Sequence, residues 1–258
     1  MNGALVPEAL PEEKPLPFWG HVGELRDRLV SCAIAIFLGA CGTYLLRFRL
    51  WALAARPLAS AVAAHPSLGG QPFAYTDLAE PFMALMRLSL WSAVFLVSPY
   101  LFYQVWIFVK PALREREKGM AGAFIGVTSS CFLLGALFAY FFLFGALSDL
   151  LIGEAVKAGM RPNLKPTEYL NLLLYAVVGS GVAFETPVLF YFLARFRMVG
   201  SRAMLQRWRE ATIAILFAAG FLTPGDVVAT MIVFGAVLLA LYFASAGVVW
   251  LVERSRPA

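Results

Sequence analysis

No charged side chain interrupts residues 29–46, and the chain returns to apolar runs at 82–108, 120–147, 169–196, 211–222 and 227–252, with only Arg87, Glu185 and Arg195 charged inside them. A bilayer core about 30 Å thick takes roughly 20 helical residues to cross. Inside it each backbone N–H and C=O must find a partner within the protein, which restricts spanning segments to helices or closed barrels. The runs have helical length. The expected fold is therefore all-α and membrane-integral, with six transmembrane helices, the last two short. Charged residues make up 14% of the chain, against about 25% in soluble domains.

The fifth run has 12 residues, 211–222, below the usual lower limit of about 17 for a full span. It ends at Thr223-Pro224-Gly225-Asp226, a Pro-Gly turn. A short hairpin that dips from one side and returns fits this run, reaching a locally thinned far surface or stopping short of it. Loop charge sets the orientation. Fourteen Lys and Arg flank the spans on the side of the N-terminus and six on the other, so both termini are expected in the cytoplasm. Residues 1–20 form an expected mobile tail, 21–253 the membrane domain and 254–258 a C-terminal tail. The stretch 1–17 is rich in Pro and Glu without an apolar core, unlike a secretory leader. The net charge of +5 comes from these short loops and gives no ground for a nucleic-acid partner.

Glu185 is the most informative residue. A carboxylate at mid-membrane costs at least about 2.5 kcal/mol unless it is paired, hydrated or protonated. Pro187, two residues on, leaves a carbonyl without its helical donor. Either the pair forms a wet polar site, or Glu185 makes a structural hydrogen bond to another helix. Arg87 is expected to snorkel toward the far interface. Glu24 and Glu117 are acids on the basic side, where they do not serve orientation. Two carboxylates at one rim suit guanidinium groups; taken alone, they also fit solvated surface ion pairs. Cys32, Cys41 and Cys131 lie inside apolar runs, and His21 and His65 are far apart in sequence. No metal or cofactor is expected, and no nucleophile triad or phosphate loop points to an enzyme.

Five motifs in order give the chain a family resemblance. His21-Val22-Gly23-Glu24-Leu25-Arg26-Asp27-Arg28-Leu29 resembles an HLxELRxRL start, and Arg56-Pro57-Leu58 a loop proline motif. Tyr103-Gln104-Val105-Trp106-Ile107-Phe108-Val109-Lys110-Pro111-Ala112-Leu113 resembles YQxWxFxxPxL and is followed by Glu117. Gly181-Val182-Ala183-Phe184-Glu185-Thr186-Pro187-Val188 resembles FGxxFExPV, and Leu222-Thr223-Pro224-Gly225-Asp226 resembles LTPPD. On these motifs the chain is similar to the TatC family, the multi-span receptor subunit of the twin-arginine protein translocase. Gly225, Thr230, Ala236 and Tyr242 depart from that family's pattern.

The resemblance implies a concave bundle that binds the paired arginines of signal peptides on folded cargo and exports the cargo by the proton-motive force. It implies TatB- and TatA-like single-span partners, a homo-oligomeric receptor complex and a bacterial inner membrane. It turns the reading of the rim toward a signal-peptide site of Glu24, Leu25, Arg26, Phe108, Arg116, Glu117 and Lys118. It assigns partner contact to Thr223, Pro224, Asp226 and Thr230, an intramembrane polar site to Glu185 and Pro187, and a loop-shaping role to Pro57. The alternative is a secondary transporter or channel with Glu185 as its ion site.

Overall fold

The structure, a computed structural model, describes residues 18–64, 73–75, 77–110, 119, 121–160, 163–222 and 228–255, without the side chains of residues 18, 19, 21, 221, 222, 228–230 and 233. Arg116, Glu117, Lys118, Thr223, Pro224 and Asp226, and the side chain of Thr230, lie outside the described residues.

The first helix, α1 (Phe18–Leu45), begins inside the stretch expected as tail. It lies along α4 (Glu80–Val109). Small residues let the two backbones approach: a Cβ on Gly39 would sit 3.2 Å from the Ala93 Cβ and 3.1 Å from Val97 Cγ1. Thr43 Oγ1 donates to the Ser89 carbonyl at 2.7 Å across the same contact. Small residues and hydroxyls hold helices together in lipid because burial of apolar surface gives no net drive there. The outward face of α1 is apolar, with Leu29 60% and Phe37 67% exposed, as a lipid-facing surface requires.

The segment between α1 and α4, expected as a loop, contains two helices, α2 (Arg47–Ala54) and α3 (Arg56–Ala63). Pro57 stands in the first turn of α3, where its missing N–H removes no helical bond. Leu58, Ala61 and Val62 are buried. Two tyrosines pin the α2–α3 junction: Tyr140 donates to the Leu53 carbonyl and Tyr169 to the Ala54 carbonyl, each at 2.7 Å. Phe73 joins by packing between Trp51 and Tyr169. Prolines break up a sequence pattern, but here one of them starts a helix.

The third apolar run continues past its expected end as α5 (Ala121–Phe138), a π-helical turn (Ala139–Leu143) and α6 (Phe144–Lys157). The wider turn carries Tyr140, which reaches the α2–α3 junction; π-turns often mark such local re-aiming. The fourth run is α7 (Pro166–Phe184) and α8 (Thr186–Arg195), divided at Glu185. A short helix, α9 (Ser201–Gln206), precedes α10 (Trp208–Leu222) and α11 (Val228–Arg254).

The 15 residues of α10 extend about 22 Å, less than a bilayer core. The shortness expected of both last helices is confined to α10, because the apolar run of α11 carries helix through 27 residues. Among the described residues, five helical stretches have the length and apolarity to cross a membrane, Val22–Leu45, Glu80–Val109, Ala121–Lys157, Pro166–Arg195 and Phe234–Arg254.

Two packed cores organise the bundle. The larger joins α2, α3, α4, α6 and α7 around Phe144, Leu170 and Leu173 and reaches Ala219 of α10 and Phe234 of α11. The smaller joins α8, α9 and α11 around Ala194, Met204 and Val249. It is fastened by Glu253, which accepts from the Ser201 backbone N–H at 3.1 Å and from the Ser201 hydroxyl, and by Tyr242, whose hydroxyl donates to the Met204 carbonyl at 2.9 Å. Because α11 packs chiefly on α8, α10 packs on α11, and both touch α7 only slightly, a concavity remains between α4, α7, α8 and α10.

Candidate functional site

The helix α7, which lines the concavity, is packed closely by α5. A Cβ on Gly135 would lie 2.6 Å from the Ser180 carbonyl oxygen and 2.9 Å from the Phe184 Cβ, and a Cβ on Gly181 would lie 2.8 Å from the Phe132 ring. A side chain at either position would have to push its neighbour aside. One turn beyond Gly181 the helix breaks. Glu185 N–H turns to the Val182 carbonyl at 3.1 Å, and the Thr186 hydroxyl caps the Ala183 carbonyl at 2.6 Å. Pro187 opens α8, where it needs no helical donor.

Glu185 therefore sits at a discontinuity rather than within a regular helix. Its Oε1 is buried with no hydrogen-bond partner among the described residues. Glu185 is one of the residues lining a cavity of about 1050 Å³, together with Arg87, Trp91, Asn171, Tyr175 and Thr186 among others. Unsatisfied buried polar atoms in a native fold call for water or a ligand, and a cavity of this size has room for both.

Arg87 has a partner on another helix. It turns across to α7, where its guanidinium donates to the Asn171 side-chain oxygen, and it lines the same cavity. Asn171 and Glu185 are 14 residues apart, about 21 Å along a helix. A cation and an acid thus stand at two depths of one concave face. Asn171 at the start of the fourth run offered no sequence signal as the partner of Arg87.

A second site lies at the end of α1 and α4 that carries the N-terminus. Glu24 and Arg28 are one helical turn apart, in the favourable order of acid before base. The Arg28 Nε and Nη2 both donate to Glu24 Oε1, the former at 3.1 Å. The Arg28 Nη1 donates to Gln104 Oε1 at 3.3 Å, and Gln104 Nε2 donates to the Tyr100 hydroxyl at 2.6 Å. The carboxylate is thus tied across two helices. Beside it opens a cavity of about 750 Å³ lined by Gly23, Glu24, Asp27, Arg28, Tyr103 and Gln104, among others.

Of the residues expected at this rim, Glu24 lines the cavity, Leu25 is exposed, and Phe108 is half-buried in the last turn of α4. Arg26 instead pairs with exposed Asp27 at 2.8 Å, leaving Arg28 as the partner of Glu24. The Glu24–Arg28 spacing was readable as a helical ion pair; the part of Gln104 was not. The 4.8 Å ring pair of Trp106 and Phe124, and the 5.2 Å pair of Phe124 and Phe192, pack α4, α5 and α8 together. Among the described residues no three His, Cys, Asp or Glu side chains gather as a metal site would require.

Several bilayer-length helices around a lateral, mostly apolar cavity that holds Arg87, Asn171 and Glu185, with a charged cleft at one end, define a polytopic helical membrane protein. Comparison with known proteins gives its family. The family model of the Sec-independent protein translocase protein TatC matches residues 20–235. The TatC protein of Koribacter versatilis is 30% identical over 240 residues, 93% of this chain and 87% of that one. That of Desulforapulum autotrophicum is 34% identical over 235 residues, 90% and 83% of the two chains. A crystal structure of the twin-arginine translocase receptor TatC superposes with a TM-score of 0.78 at 26% identity, covering 91% of this chain and all of that one. The chain belongs to the TatC family, the receptor subunit of the Sec-independent translocase. It is a component of protein transport, which displaces the small-solute transporter alternative.

Proposed function

We propose that this chain binds the paired arginines of signal peptides at the rim formed by Glu24 and Glu117, with Leu25 and Phe108 receiving the apolar residues that follow. The observation that carries this reading is the state of Glu24. It lies at an open cleft and already holds a guanidinium, that of Arg28, by two donors. A carboxylate that accepts one planar donor fork is suited to accept another, and an ammonium lacks that fork. Arg26, Arg28, Arg116 and Lys118 are near neighbours of the two acids in sequence.

TatB- and TatA-like single-span proteins dock against the α10–α11 hairpin at Thr223, Pro224, Asp226 and Thr230, in a complex with several copies of this chain. The polar site at Glu185 and Pro187 serves transport of cargo under the proton-motive force. The setting is a bacterial inner membrane with both termini cytoplasmic. The receptor reading is tested by titrating a twin-arginine peptide and its twin-lysine counterpart onto the purified chain in lipid nanodiscs. Glu24→Ala and Glu117→Ala each remove a charge-assisted contact of about 1.5–3 kcal/mol and should weaken twin-arginine binding about tenfold or more. Unchanged affinity in both variants refutes the paired-carboxylate site.

A further inference from the structure

Resting on that reading, we infer that Arg28 is a built-in guanidinium that occupies Glu24 until a peptide arginine replaces it, and that this exchange enforces the choice of arginine over lysine. The geometry has three parts. First, Arg28 presents two of its donors, Nε and Nη2, to Glu24 Oε1, as an incoming arginine would. Second, Arg28 has another acceptor: its Nη1 reaches Gln104 Oε1 at 3.3 Å, and Gln104 is itself held by Tyr100 at 2.6 Å. Arg28 can therefore release Glu24 without leaving its guanidinium unpartnered. Third, the approach is open. The cleft runs along Gly20, Gly23 and Asp27, and a Cβ on Gly23 would meet nothing within 4 Å.

The chemistry of replacement then discriminates. An intramolecular competitor acts at high effective concentration, so a ligand must match its hydrogen bonds as well as its charge. A second guanidinium matches donor for donor. An ammonium is a compact, strongly hydrated charge without the planar fork, and it fails to displace one. Removing the competitor therefore helps both peptides and helps lysine more. Arg26 has no such role, because its guanidinium is spent on exposed Asp27.

The test compares Arg28→Gln and Arg28→Lys with the unsubstituted chain in nanodiscs, titrating twin-arginine and twin-lysine peptides. Arg28→Gln should bind the twin-arginine peptide about tenfold more tightly and the twin-lysine peptide by a larger factor, so that the preference narrows. Arg28→Lys keeps the charge and the aliphatic stem but loses the fork. It should shift both affinities in the same direction by a smaller amount. Weaker twin-arginine binding in both variants makes Arg28 a positioning residue and overturns the exchange. Tighter binding in Arg28→Gln with Arg28→Lys equal to the parent reduces the effect to charge repulsion and also overturns it. A parent that binds the two peptides equally removes the receptor site itself; a discriminating parent with unchanged Arg28 variants removes the exchange alone.

Discussion

Replacing Gly135 by alanine probes the close contact by which α5 seats on α7. The new Cβ would stand 2.6 Å from the Ser180 carbonyl oxygen and 2.9 Å from both Cβ and Cγ of Phe184. Carbon atoms in contact settle at about 3.5–4.0 Å, so α5 and α7 must part by roughly 0.6–1 Å. The nearest obstacle is main chain, which has no rotamer to change. Overpacking of this kind costs about 1–3 kcal/mol, and the upper half of that range applies here. Alanine recovers about 1 kcal/mol of helix propensity over glycine, leaving a net loss of about 1–2 kcal/mol. Gly126, on the same helix, would meet nothing within 4 Å, so Gly126→Ala should be neutral or stabilising by about 0.5–1 kcal/mol. The two variants should differ by about 2 kcal/mol, roughly thirtyfold in the unfolding constant. Unfolding in mixed micelles, followed by helical circular dichroism, measures both. Equal stability of Gly135→Ala and Gly126→Ala would refute the argument that glycine is needed for α5 to seat on α7.

The other expectations concern groups that tie separate elements together. Tyr169→Phe removes the bond to the Ala54 carbonyl and should lower stability by about 1 kcal/mol or more. Amide exchange should rise in α2 and α3 before it rises in α4; uniform exchange across the chain would contradict the pinning. Glu253→Ala strips the cap from Ser201 and should expose the basic segment around Arg197 and Arg202 to trypsin, and an unaltered cleavage pattern would show that other contacts hold that segment. Glu185→Ala should reduce cargo transport more than it reduces folded protein in the membrane. A structural acid would give the opposite order, with Glu185→Gln fully active and Glu185→Ala lost from the membrane.

The apolar runs carried the helical class, because the bilayer leaves a chain few ways to satisfy its backbone, and Pro187 marked the place where the fourth helix is interrupted. They did not carry the two helices between α1 and α4. Those helices are too short to show a period, and tyrosines distant in sequence hold their junction. The end of the third run was misplaced for a related reason. Hydropathy falls at Asp149, but helix continues because the far end of α6 packs against α3 rather than lipid. Glu24 stood out as an acid where acids serve no orientation. Its tie to Gln104 spans 80 residues of sequence and emerges only when α1 lies along α4. Arg87 looked like a snorkelling side chain because nothing in its own segment offers a partner; Asn171 supplies one from α7.

The most direct test of the receptor reading is photocrosslinking on the purified, partner-free chain. A photoreactive residue is placed at Leu25, exposed beside the Glu24 cleft, or at Phe37, exposed on the outward face of the same helix. The account predicts that a twin-arginine peptide crosslinks from position 25 and not from position 37, and that the twin-lysine peptide crosslinks from neither. Equal labelling by the two peptides at position 25, or labelling from position 37 alone, would contradict it.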